Sequence, residues 1–106
     1  MKILLDECID WRLKYDFTDI EVSTIKDERW LGKKNGELLS AASQSKFDVF
    51  LTIDKKLQYQ QNIKNYPIAI VVFDSPLSTR SELKKLIPKF AEKISDLKQG
   101  NVLVIQ

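Results

Sequence analysis

Two apolar runs in this sequence stop at carboxylates. Lys2-Ile3-Leu4-Leu5 ends in Asp6-Glu7, and Phe50-Leu51-Thr52-Ile53 ends in Asp54. Neighbouring strands lie about 4.8 Å apart. Two carboxylates delivered that close repel each other unless one is protonated or a cation lies between them. A set of oxygen donors selects a hard ion, Mg2+ or Mn2+, over zinc. The chain has no histidine, which excludes imidazole general-base catalysis, a Ser-His-Asp triad and any His-containing zinc site. Glu37 is a candidate third oxygen ligand and Asn35 a candidate amide donor. Glu7 stands next to Asp6 but points elsewhere, because successive residues at a strand end alternate in direction. Each group also has a plainer role. Strand-end acids cap the helices that follow, Glu37 compensates a helix dipole, and Asn35 serves as an N-cap. Two strand ends doing the same thing argue for a shared site.

The elements that must position these groups follow from periodicity. Lys2 to Leu5 is a short strand. Ile9, Leu13 and Phe17 recur every four residues, which predicts a helix between Cys8 and Asp16. Ile20, Val22 and Thr24 alternate as a second strand. A loop holding Trp30 and Gly32 leads to a helix from Asn35 to near Lys46, with Leu38, Leu39, Ala41 and Ala42 on its apolar face. Val49 to Ile53 is the third strand, and a helix with Leu57 and Ile63 facing inward follows Asp54. Ile68 to Phe73 reads as a strand buried on both faces. A stripe from Leu83 to Leu97 predicts a long helix that kinks or restarts at Pro88. That stripe is core or a surface for a second copy. Val102 to Ile105 is the last strand.

Strictly alternating strands and helices predict an α/β domain, with a mainly parallel sheet carrying helices on both faces. In such sheets the site lies beyond the carboxyl ends of the strands, where the strand order reverses. If the second strand pairs on one side of the first and the third on the other, that point falls between strands one and three, and Asp6 faces Asp54.

Bulk properties bound the answer. At 106 residues the chain is long enough for one domain, residues 1–106, and not for two. Its net charge of +2 is too small to argue for nucleic acid from bulk electrostatics. The single cysteine, Cys8, excludes an internal disulfide framework and fits a reducing compartment as a small buried residue. No signal peptide or membrane-length apolar run is visible, so the expected location is the cytoplasm, away from membranes. Trp30 is either core or a surface for a base. Gln58, Gln60 and Gln61 are either a solvated face or specific hydrogen-bonding groups.

Three stretches, LLDEC at 4–8, KNGELL at 34–39 and FDVFLTIDKKLQYQQN at 47–62, together resemble the small PIN-like domain family of bacteria and archaea. That family is related to the toxin ribonucleases of type II toxin–antitoxin systems. The resemblance covers nearly the whole chain, including Trp30-Leu31-Gly32 and the IAIVVF strand. It implies a three-layer α/β/α sandwich whose acids bind Mg2+ or Mn2+ and cleave single-stranded RNA, with an antitoxin protein as a possible partner and a possible homodimer. Asp6 and Asp54 match the family's strand-end acids. Position 35, where many relatives carry Asp, is Asn35. Position 56, where they often carry Asp or Asn, is Lys56. On this resemblance a metal held by Asp6 and Asp54, with Glu37, activates a water. Lys33, Lys34, Lys55 and Lys56 are either phosphate contacts or solvated surface, and Tyr59, Gln60 and Gln61 are candidate contacts to bases.

Two rivals remain. The thinner acid cluster suits a PIN-like module that binds without cutting. Acids after strands one and three also suit a phosphoacceptor receiver domain, although Val102 to Gln106 lacks the lysine such a domain needs after its last strand.

Overall fold

The computed structural model describes residues 1–60 and 62–106, apart from the side chains of Gln58 and Gln60. Five strands, β1 (Lys2–Leu5), β2 (Glu21–Thr24), β3 (Val49–Thr52), β4 (Ala69–Phe73) and β5 (Val102–Ile105), form one sheet. The order is β2-β1-β3-β4-β5 and every pairing is parallel. Parallel neighbours need crossovers, and the helices supply them. These are α1 (Asn35–Gln44), α2 (Leu57–Gln60), α3 (Arg80–Lys84) and α4 (Ile87–Glu92), with 3-10 turns at Trp11–Asp16, Ile63–Asn65 and Ile94–Asp96.

Alternation along the strands divides the core in two. Ile3, Leu5, Val49, Leu51, Val71 and Phe73 pack with Leu13, Phe17, Leu83 and Phe90. Leu4, Phe50, Ile70 and Val72 pack with Leu38, Leu39, Ala42 and Leu57. Strands β3 and β4 are buried at every position, whereas the edge strands β2 and β5 are only partly covered. Trp30 packs edge-to-face on Phe47, 6.0 Å between ring centres, so this loop residue braces the core.

Local details depart from the periodicity in three places. Ile9, Leu13 and Phe17 are buried as expected, yet the segment winds as a 3-10 helix. The Asp10 side chain takes the Arg12 N–H, and its carbonyl takes that of Leu13, which sets a three-residue repeat from the first turn. Lys34, not Asn35, is the N-cap of α1, with no side-chain cap, and Asn35 is the first helical residue. The long C-terminal helix is broken. Pro88 has no N–H and clashes with the preceding turn, so α3 ends at Lys84 and α4 restarts with Pro88 in its first turn. Thr79 caps α3 by accepting from Glu82 N–H.

Candidate functional site

Strands β2 and β3 pair on opposite sides of β1. The strand order therefore reverses between β1 and β3, and sheets of this kind bind ligands beyond the carboxyl ends at such a point. Asp6 is the first residue past β1, and its N–H still bonds to the Leu51 carbonyl at 2.9 Å, so the ladder carries it to that edge. Asp54 lies two residues past β3.

A threonine links the two. Thr52 is fully buried, and its hydroxyl donates to Asp6 Oδ2 at 2.7 Å while accepting from Asp54 N–H at 3.0 Å. The second contact is a Thr-x-Asp turn that holds the chain as it leaves the sheet. A hydroxyl at a fully buried position costs free energy unless it is bonded, and both bonds here run to the site. Asp6 Oδ1 accepts from Glu7 N–H at 2.9 Å, and Oδ2 also accepts from the Cys8 thiol at 3.3 Å. Burial of the sulfur raises the Cys8 pKa above its ordinary value, an Ile53 backbone bond lowers it, and the Asp6 carboxylate raises it. The thiol thus stays protonated at neutral pH and able to donate. Cys8 as a residue is exposed, in contrast to the burial expected of it, because only its sulfur turns inward.

Asp54 Oδ1 accepts from Lys56 N–H at 2.9 Å, so Lys56 is bound to the site by its backbone, with an exposed side chain. Lys55 reaches across to Asp74 at 2.8 Å. Asp74 is the first residue past β4, and its N–H bonds to the Ile105 carbonyl. It is a third strand-end acid, and Phe73-Asp74 repeats the pattern seen at Leu5-Asp6. Among the described residues no lysine or arginine forms an ion pair with Asp6, Glu7, Glu37 or Asp54.

The head of α1 stands at the same edge. A helix returning from β2 to β3 in a parallel sheet must start at the carboxyl edge, so Lys34, Asn35 and Glu37 at the head of α1 belong there. Lys34 and Glu37 are exposed and Asn35 is half-buried. No hydrogen bond among the described residues joins them to Asp6 or Asp54. Glu7 is exposed and touches Asp6 only through its N–H. Tyr59, on α2, is 81% exposed. The Gln60 side chain and all of Gln61 lie outside the described residues. Also among the described residues, no group of three Cys, Asp or Glu side chains gathers at metal-binding range, and no helix is long and apolar enough to cross a membrane.

No family model, curated protein or solved structure matches this chain.

Thr52, Cys8 and Asp74 were not singled out as site residues from the sequence. Thr52 reads there as an ordinary β-branched strand residue, and only the Thr-x-Asp spacing hints at more. Asp74 also ends an apolar run, and Ser75-Pro76 after it is a turn signal that gives the acid a plainer role.

Proposed function

We propose that this chain is a metal-dependent ribonuclease of PIN type, organised as a three-layer α/β/α sandwich. The observation that carries the reading is the Asp6–Thr52–Asp54 linkage at the switch point. It fixes the Asp6 carboxylate and the Asp54 backbone through a neutral hydroxyl, and among the described residues no lysine or arginine pairs with either acid.

The donor set fits Mg2+ or Mn2+. Such ions keep several waters and take only one or two carboxylates. Asp54 spends one oxygen on Lys56 N–H, and Asp6 Oδ1, which accepts only from Glu7 N–H among the described residues, retains a lone pair. Asp6 and Asp54 would hold the ion, with Glu37 and Glu7 reaching it through water. When bound, it supplies an activated water and stabilises charge on the scissile phosphate. The chain's own groups do the rest. Thr52 orients Asp6 and fixes the Asp54 backbone. Lys34 and Lys56 attract the phosphate backbone, while Lys55 balances Asp74. Asn35 and Tyr59, with Gln60 and Gln61, contact the single strand. The reading also implies a cytoplasmic protein, with an antitoxin or a second copy as protein partner.

Purified protein with Mn2+ is expected to cut single-stranded RNA, and Asp54→Ala to abolish the cutting. Cutting that persists in both Asp6→Ala and Asp54→Ala would remove the reading.

One observation favours a second reading. Receiver-type sheets share the order 2-1-3-4-5, with Asp54 as phosphoacceptor. Labelling of Asp54 by a small phosphodonor, with no RNA cutting, would establish it.

A further inference from the structure

Trp11 is 55% exposed and Tyr15 is 66% exposed. Both sit on the 3-10 helix that follows the Asp6 loop. The core does not require them there, because Ile9, Leu13 and Phe17 already bury the inner side of this segment. The two rings meet edge-to-face, 5.9 Å apart at 75°. Lys14 Nζ stands 5.5 Å from the Trp11 ring and 5.3 Å from the Tyr15 ring, and is held by Asp27 at 3.0 Å. An ammonium tied down between two rings fixes both of them.

Trp11 also forms one wall of a cleft of about 610 Å³, lined by Glu7, Cys8, Ile9, Asp10 and Arg12. Glu7 and Cys8, in the same lining, are the loop residues whose N–H and thiol hold Asp6. The cleft therefore adjoins both Trp11 and the loop that holds Asp6. Arg12 stands at its rim, bonded to Asp10 through Nε and Nη2 among the described residues. A guanidinium has five N–H donors, so this one retains donors for a phosphate.

We propose that Trp11 and Tyr15 are a stacking platform for unpaired bases of single-stranded RNA, placed beside the loop that holds Asp6; this rests on the ribonuclease reading above. Bases in a duplex stack on each other, whereas a single strand offers open π-faces to aromatic side chains. The steep angle between the rings requires the strand to turn between bases held on each, which a duplex cannot do. Stacking of this kind tolerates any base, so the platform confers affinity and positioning rather than sequence choice.

The test is RNA binding in EDTA, where metal-dependent cutting is blocked, using a twelve-nucleotide oligouridylate and an abasic oligomer of equal length. Trp11→Ala is expected to weaken oligouridylate binding about tenfold. Tyr15→Ala should weaken it less, and Trp11→Phe should retain most of it. The abasic oligomer should not distinguish wild type from variants. Both side chains are exposed, so the variants should fold, which circular dichroism checks. Equal binding by Trp11→Ala and wild type, or no RNA binding by wild type, overturns the platform. Cutting with Mn2+ alongside unchanged affinity removes the platform and leaves the nuclease. Stacking-dependent binding without any cutting supports the platform and removes the nuclease.

Discussion

Asp16, the last residue of the first 3-10 helix, and Asp6, the first residue past β1, keep opposite company. The Asp16 side chain is only 6% exposed and is gripped by Arg80 through two bonds, at 2.8 and 2.9 Å, with Lys84 at 3.7 Å. Its charge is cancelled within the chain, and the pair ties the first 3-10 helix to α3. Asp6 is held by a hydroxyl, a thiol and a backbone N–H. Neutral donors orient a carboxylate without neutralising it. The first arrangement serves the fold. The second, on the reading proposed here, is kept for a cation from outside the chain.

The largest effect that would separate the two is on cutting. Asp6→Asn and Asp54→Asn keep shape and most hydrogen bonds but remove charge. Each is expected to lower Mn2+-dependent cleavage roughly a thousandfold, since a bound metal contributes several kcal/mol to the transition state. Their thermal midpoints should stay at or above that of wild type. Asp16→Ala should do the reverse. Its midpoint should fall by roughly 5 °C or more, while cleavage per folded molecule, measured well below that midpoint, stays unchanged. Loss of specific activity there would mean that the two regions are not separate.

Thr52→Val lies between these cases. It leaves the part-buried Asp54 N–H without its partner and should cost about 1–2 kcal/mol in urea unfolding. It should also weaken Mn2+ binding at least tenfold, as loss of a ligand-orienting group does. A stability loss with unchanged Mn2+ affinity would reduce Thr52 to a structural role.

The smallest effect is in acid. The Arg80 hydrogen bonds hold Asp16 below the usual carboxylate range, and Arg12 lowers Asp10 to about 2. A folded pKa below the unfolded one gives stability that is present above the unfolded value and lost as pH falls through the folded one. For Asp10 that window runs from 3.8 down to about 2. Urea midpoints should decline across it, and Asp16→Asn should flatten part of the slope in the same acid range. An identical slope in the variant would show that Arg80 gives Asp16 no preferential hold on its charged form.

Much of this was legible in the sequence, for identifiable reasons. The alternation of β-branched runs with four-residue stripes placed all five strands, and Pro88 marked where the last helical stripe divides. The strand-end acids share one edge because a parallel sheet sends every strand's carboxyl end the same way. Other features depended on contacts that spacing does not encode. The Thr52 hydroxyl resembles any strand threonine until β1 brings Asp6 beside it. The Cys8 sulfur turns inward while its residue stays outside. Asn35 has the chemistry of a cap, but it is the first residue of α1 and the cap position falls on Lys34. Asp16 and Arg80 are 64 residues apart in sequence, and only the packing of α3 brings them together.

Titration calorimetry with Mn2+ tests the central claim most directly. Wild type should give one saturable binding event, absent in both Asp6→Asn and Asp54→Asn and unaffected in Asp16→Asn. No binding by wild type, or binding that survives in both switch-point variants, would contradict it.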